Sequence, residues 1–106
     1  MTLPLPKIIE KQETGIDTVP KKPEMYQVLL HNDHYTTMEF VIDVLVSIFH
    51  KAISEATQIM LAVHHKGVGM CGIYTYEIAE TKVKKVQQLA EKNGFPLLCT
   101  FEKVDG

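Results

Sequence analysis

The most constraining feature of the sequence is the change of pattern at residues 31–37, HNDHYTT. The apolar run before it is short and contains Tyr26 and Val28, which predicts a strand over Met25–His31. Apolar residues recur at helical spacing from Met38 onward. A strand and a helix must therefore meet here, at a stretch with more polar side chains than a turn needs.

Two helices are predicted after this stretch. Thr36 and Glu39 have capping-box spacing, so the first helix should begin near Thr37 and run to about Phe49. Its apolar residues are Phe40, Val41, Val44, Leu45 and Ile48. The second helix fits residues 53–64, with Ile53, Ala56, Met60 and Val63 on one stripe. The short break between them predicts a compact helical pair.

The rest of the chain predicts a strand, a helix and a final strand. Gly67 and Gly69 end the second helix and open a strand over residues 68–74. Thr75 is the expected N-cap of a helix over Tyr76–Asn93, and Asn93 with Gly94 is typical of its end. The inward-facing residues of this helix should be Ala79, Val83, Val86 and Ala90. The last strand is predicted over residues 97–102, after Pro96.

The predicted fold class is α+β, with the element order β-α-α-β-α-β. We expect a small single domain at residues 24–106, in which a three-stranded antiparallel sheet packs against three helices. Residues 1–23 hold four of the five prolines and little apolar periodicity, which predicts a flexible N-terminal extension.

Charge and composition exclude several classes of protein. A net charge of −2 gives no basic face for nucleic acid. We find no signal peptide and no apolar run of about 18 residues, so we expect a cytoplasmic protein without a membrane partner. A monomer is also expected. Cys71 and Cys99 each lie in an apolar run and should act as small hydrophobic residues.

Metal binding and catalysis find little support in the five histidines. His31 and His34 lie at the end of the predicted strand and in the loop after it rather than on a shared helix face, and a helix would separate His64 from His65 by about 100°. Neither HExxH nor CxxC accompanies them, so neither a metal nor another cofactor is expected. An acid–base pair of Asp33 with His34 or His64, with Cys71 as a nucleophile, stays open as an alternative, although the nucleophile elbow, P-loop and dinucleotide turn are all missing.

Recognition of a peptide amine is a second interpretation. Asn32 and Asp33 end the first strand, and His64 ends the second helix; all three side chains can accept hydrogen bonds from an ammonium. Apolar residues that could line a hole beside them are Met38, Val41, Met60 and Val63. Alternatively, the methionines fill core gaps and His64 caps its helix. The residues alone leave both interpretations open.

Three stretches carry a family resemblance: YQVLLHNDHYTTMEFVIDVL, ATQIMLAVHHKG, and AETKV together with PLLCTFEK. They lie within residues 24–103 and strongly resemble the ClpS family, the adaptor of the bacterial ClpAP protease. The resemblance implies a non-enzymatic adaptor without a cofactor. It would bind proteins that begin with Leu, Phe, Tyr or Trp and deliver them to the unfoldase ClpA, also modulating the substrate choice of ClpA.

The resemblance also implies residue roles. Asn32, Asp33 and His64 would hold the α-amino group of the substrate, and His34, where many members carry an acidic residue, is a further candidate. The side-chain pocket would consist of Met38, Val41, Met60, Val63, Leu97 and Thr36, with Met38 as gatekeeper. Docking on the ClpA N-terminal domain would use Glu77, Glu80 and Lys82, and the extension would engage the unfoldase. The alternatives are an interaction module without an amine pocket and a small acid–base hydrolase.

Overall fold

The structure, a computed structural model, describes residues 22–105. The elements are β1 (Met25–His31), α1 (Met38–Ser47), α2 (Ile53–Lys66), β2 (Val68–Thr75), α3 (Tyr76–Asn93) and β3 (Leu98–Lys103). The predicted α+β class and element order are confirmed. The flexible extension predicted for residues 1–23 lies outside the described residues, except for Lys22 and Pro23.

β1 is the central strand of the sheet. The strand order is β2-β1-β3, and both pairings are antiparallel. Val28 lies opposite Gly72, but Leu29 lies opposite Met70, so Cys71 is the additional residue of a β-bulge. Alternation along β1 turns Val28 and Leu30 toward the helices, where both are fully buried.

The core lies between the sheet and the three helices, and all six elements or their flanks contribute to it. The buried residues from β1, α1 and α2 include Val28, Leu30, Phe40, Val41, Val44, Leu45, Ala56, Met60 and Val63. The four residues predicted to face inward from α3 are buried, as predicted. Ile53 departs from its predicted stripe: it is the first residue of α2 and is 70% exposed.

The helix ends agree with the predictions to within about two residues. The N-cap of α1 is Thr37, whose hydroxyl accepts a 3.1 Å hydrogen bond from the Phe40 N–H, so the capping box built on Thr36 is wrong by one residue. α1 ends at Ser47 rather than near Phe49. α2 continues to Lys66, where Gly67 caps it in the left-handed region, and Gly94 caps α3 in the same way.

Both cysteines are free and buried. Burial raises the pKa of the Cys99 thiol to about 12 and that of Cys71, which also lies near Cys99, still higher. They pack as small hydrophobic residues. In the part of the chain that the structure describes, no helix is long and apolar enough to cross a membrane, and no group of three or more His, Cys, Asp or Glu side chains is placed to hold a metal ion.

Candidate functional site

The loop between β1 and α1 is organised by the carboxylate of Asp33. Its Oδ1 accepts hydrogen bonds from the backbone N–H groups of Tyr35 (2.8 Å) and Thr36 (2.7 Å). Its Oδ2 accepts a third, of 2.7 Å, from the Thr36 hydroxyl. An Asp side chain that bonds the backbone two and three residues on holds the chain in a tight turn. Asp33 therefore fixes the loop that carries its neighbours.

These hydrogen bonds also determine the charge state of Asp33. Partial burial by itself raises the pKa of this carboxyl group. The bonds from Thr36 and Tyr35, helped by nearby His34, outweigh burial and bring the pKa below its ordinary value. Asp33 is consequently a carboxylate at neutral pH, with most of its acceptor capacity used inside the loop.

A backbone hydrogen bond joins this loop to the end of α2. The N–H of Asn32 donates to the carbonyl oxygen of Gly67 over 2.9 Å, and the N–H of Gly67 donates to the oxygen of Val63 over 3.0 Å. Gly67 adopts φ = 89°, a left-handed conformation that glycine reaches at little cost. The loop is thereby held beside the last turn of α2, which contains His64.

The close approach of α2 to β2 determines the position of the α2 side of the site. A Cβ atom placed on Gly69 would lie 2.7 Å from Val63 Cγ2 and 3.1 Å from the oxygen of Ile59. Both distances are shorter than ordinary van der Waals contact. Because only glycine permits this spacing, Gly69 determines how near α2, and with it Val63 and His64, lies to the sheet.

The loop and the two helices enclose a cavity of about 250 Å³. The polar part of its lining consists of Asn32, Asp33, His34, Thr36 and His64. The apolar part consists of Met38, Val41, Met60 and Val63. Pockets for drug-sized ligands usually have about 300–1,000 Å³, so this cavity suits a smaller group such as one amino-acid side chain.

The apolar lining combines fixed and adaptable side chains. Val41, Met60 and Val63 are buried, so packing holds them in place. Met38, the first residue of α1, is 44% exposed and unbranched, so it is free to change rotamer. On the polar part, Asn32 and His64 are exposed. Hydrogen-bond acceptors thus stand beside an apolar hole that has one movable wall.

The structure brings together nine of the ten residues that the sequence assigned to the amine site and the side-chain pocket. Leu97 is the exception. It is buried in the core cluster rather than in the cavity lining, because it leads directly into β3 beneath the helices. Thr36 lines the cavity, but its hydroxyl is donated to Asp33.

Sequence reasoning missed two contributors to the site. One is the carbonyl of Gly67, a backbone group to which no side-chain pattern points. The other is the internal role of Asp33, for which a signal existed: Asp followed three residues later by Thr is the spacing of a side-chain-closed turn. The predicted docking residues Glu77, Glu80 and Lys82 all lie in the first two turns of α3.

Comparison with known proteins identifies the class to which this fold and cavity belong. The structure is similar to that of Agrobacterium tumefaciens ClpS2 bound to L-phenylalaninamide, with a TM-score of 0.76 and 36% identity, covering 78% of this chain and 100% of that chain. Residues 21–100 match the model of a family described as ATP-dependent Clp protease adaptor protein ClpS. The class is therefore that of protease adaptors.

Relatives make the assignment specific. A ClpS adapter of Lawsonia intracellularis is 59% identical over 80% of this chain and 78% of its own length. One from Nitratidesulfovibrio vulgaris is 56% identical over 87% of this chain and 92% of its own. The chain belongs to the ClpS family of Clp protease adaptors, which confirms the resemblance seen in the sequence. These relatives are named as adapters and not as enzymes.

Proposed function

We propose that this protein binds proteins bearing N-terminal Leu, Phe, Tyr or Trp and delivers them to the ClpA unfoldase of ClpAP. In this proposal Asn32 and His64 accept hydrogen bonds from the substrate's free α-amino group. Asp33 adds negative charge, and His34 belongs to the same polar part of the cavity lining. The first side chain enters the hole made by Met38, Val41, Met60 and Val63, with Thr36 beside it.

The observation that carries the proposal is the meeting of exposed acceptors and an apolar hole in one cavity of about 250 Å³. In an N-terminal residue, a free ammonium group and a side chain are bonded to the same carbon atom. The ligand of the similar ClpS2 structure supports this chemistry, because phenylalaninamide has a free α-amine and an aromatic side chain.

Two kinds of contact would contribute to the affinity. Hydrogen bonds to a charged group contribute roughly 1.5–3 kcal/mol each. Burying a Leu or Phe side chain contributes roughly 1.5–3 kcal/mol more. The cost of association offsets part of this gain, so the loss of one acceptor or of the side-chain contact should weaken binding measurably.

The test is fluorescence anisotropy with labelled peptides that differ only at the N-terminus. The set begins with Leu, Phe, Ile, Met and N-acetyl-Leu. Free Leu and Phe should bind, Ile should be rejected, and acetylation should weaken binding about tenfold to several hundredfold, because it removes the charge and leaves acceptors unpaired. Equal binding of all five would overturn the proposal in favour of a module without an amine pocket. Cleavage of the peptide would indicate the hydrolase alternative.

Delivery requires a second surface, which we place at the start of α3. Glu77 is exposed and Glu80 is half-buried there, so both carboxylates can reach a partner. Titration of the isolated ClpA N-terminal domain into Glu77→Gln and Glu80→Gln should show weaker docking, with Glu91→Gln near the other end of α3 as the matched control. Equal docking of all three variants would remove this surface from the proposal.

The remaining parts of the proposal concern the setting of the protein. It acts as a cytoplasmic monomer, and its N-terminal extension engages the unfoldase while the folded domain holds the substrate. Deleting residues 1–21 should leave peptide binding intact and impair degradation of a Leu-initiated substrate by ClpAP.

A further inference from the structure

The cavity between the loop and the two helices has a buried floor and an exposed margin. Three buried apolar residues form the floor, namely Val41, Met60 and Val63. Four exposed residues form the margin, namely Asn32, His34, Met38 and His64. Consecutive Cα atoms of a chain are only about 3.8 Å apart. A substrate whose first side chain reaches the floor must therefore carry its second residue across the margin.

His34 is the residue of the margin that the first residue of a substrate leaves unused. In the proposed function Asn32 and His64 accept hydrogen bonds from the ammonium, and Met38 is the movable wall of the apolar hole. The imidazole of His34 differs from a pure acceptor, because in its neutral form one ring nitrogen carries a proton and can donate. His34 is thus free to contact the second residue.

The turn after β1 determines where His34 stands. The Asp33 carboxylate accepts hydrogen bonds from the backbone N–H groups of Tyr35 and Thr36, at 2.8 and 2.7 Å. These two bonds close the turn around His34, which lies between Asp33 and Tyr35 and makes no backbone bond to that carboxylate. Its backbone is consequently held in place while its side chain remains exposed at the margin.

The charges at the cavity favour an acidic residue at this point. Asp33 is the only carboxylate among the described residues that line the cavity, and its oxygens accept three hydrogen bonds inside the loop. The ammonium of a bound substrate balances its charge. Glu39, the next acidic residue along the chain, lies in the first turn of α1 and does not line the cavity. An acidic second residue would meet a donor at the margin and no unbalanced carboxylate.

We propose that His34 is a specificity-determining residue that favours substrates with Asp or Glu directly after the first residue. The imidazole donates a hydrogen bond to the carboxylate of that second side chain. This inference rests on the proposed function and adds the second residue to what the site recognises. It also assigns His34 to the second residue rather than to the α-amino group.

The test is fluorescence anisotropy at neutral pH and fixed salt concentration with three labelled peptides. They begin with Leu-Glu, Leu-Gln and Leu-Lys and are otherwise identical. The unaltered protein should bind the Leu-Glu peptide about two- to fivefold more tightly than the Leu-Lys peptide, which is the size expected of an exposed contact to a charged group. The Leu-Gln peptide should lie between them. Equal affinities for the three peptides would overturn the inference.

Three variants assign the preference to one side chain. His34→Asp places a carboxylate at the same point and should reverse the order of the peptides, whereas His34→Asn keeps a donor and should preserve it. His65→Asp is the matched control. It makes the same substitution at an exposed residue whose ring lies 5.0 Å from that of His64 but which does not line the cavity, so the order should stay as it is.

The pattern across the variants decides the outcome. If His34→Asp changes the affinity for all three peptides by the same factor, His34 acts on the amine or on the loop, and the inference is overturned. An equal reversal in His65→Asp would overturn it too, because the general charge near the cavity would then select the second residue. Urea unfolding shows that each variant is folded under the conditions of the assay.

Failure of the proposed function would be recognised separately. An N-acetylated Leu-Glu peptide that binds as tightly as the free one would show that the cavity does not hold an amine, whatever the order of the second residues. Loss of binding on acetylation together with equal affinities for the three free peptides would leave the proposed function intact and remove only the role of His34.

Discussion

The backbone N–H of Asn32 donates a hydrogen bond of 2.9 Å to the carbonyl oxygen of Gly67. This bond joins the loop after β1 to the cap of α2, and it brings Asn32 next to the turn that contains His64. The polar part of the cavity therefore depends on a contact between residues 35 positions apart in the chain (67 − 32).

The first prediction concerns Gly67 and uses Gly94 as its control. Both glycines cap a helix at positive φ, 89° and 76°, and a Cβ on either would meet no atom within 4 Å. Substitution of either glycine by Ala should therefore lower the free energy of unfolding by about 1–2 kcal/mol through backbone strain alone. Only Gly67→Ala should also weaken peptide binding, since it moves the carbonyl that holds Asn32. Urea unfolding measures the stability of both variants, and anisotropy measures their affinity for the peptide. Equal peptide affinities of Gly67→Ala and Gly94→Ala would contradict the role of the bond between Asn32 and Gly67.

The second prediction concerns His64 as a hydrogen-bond acceptor. A neutral imidazole nitrogen can accept a hydrogen bond from an ammonium, whereas an aliphatic side chain cannot. His64→Leu should weaken binding of a Leu-initiated peptide about tenfold or more, because one charge-assisted hydrogen bond is lost, and His64→Gln, which keeps an acceptor, should retain part of the affinity. His65→Leu is the control, because its ring lies 5.0 Å from that of His64 but does not line the cavity. An unchanged affinity of His64→Leu in the anisotropy assay would exclude His64 as the acceptor.

The third prediction concerns the low pKa of Asp33. A carboxyl group whose pKa is lowered by folding stabilises the protein above its unfolded value of about 3.9, and this contribution is lost as the pH falls through the folded value. Thr36→Val removes one of the hydrogen bonds that lower the pKa. The pKa of Asp33 should then rise, as followed by NMR of its carboxyl carbon, and acid unfolding should begin at a higher pH. Thr57→Val, whose hydroxyl serves Ile53 instead, should leave the titration of Asp33 unchanged.

The fourth prediction concerns Met38 as the movable wall of the cavity. Met38→Ala should enlarge the hole and admit peptides that begin with Ile or Val, with some loss of affinity for Leu because apolar contact is removed. Met70→Ala is the matched control, since Met70 is similarly exposed and lies on β2 away from the cavity lining. Continued rejection of Ile and Val by the Met38 variant would show that another residue selects the side chain.

The fifth prediction concerns His50, which adopts φ = 56° after the end of α1. A left-handed conformation costs a non-glycine residue about 1–2 kcal/mol, and replacement by glycine removes this strain. Glycine also gives the unfolded chain more conformational freedom, which offsets part of the gain. His50→Gly should therefore stabilise the protein by about 0.5–1 kcal/mol. Lys84→Gly, in the exposed interior of α3, should instead destabilise it by about 1 kcal/mol. Urea unfolding measures the stability of both variants. A loss of stability in His50→Gly would show that the imidazole makes a stabilising contact in the folded protein.

Several local signals predicted the structure correctly. Helical periodicity predicted the four buried residues of α3, and the left-handed caps at Gly67 and Gly94 follow from residues next to each helix end. The error at Thr36 has a physical cause. Two adjacent threonines could each cap α1, and Asp33 took the hydroxyl of one, so the other became the cap.

The sequence by itself determined the α+β class and the order of the elements, because apolar spacing and capping residues act within a few positions of one another. It also named most of the residues that line the cavity, but their meeting depends on the tertiary contact between the loop after β1 and the end of α2. Tertiary structure alone decided the strand order β2-β1-β3, the bulge at Cys71, the burial of Leu97 and the attachment of Lys82 to Ile48. Each of these depends on which distant segments meet. The packing of the whole chain determines that choice, since many pairings satisfy the same local pattern and only one of them buries the core.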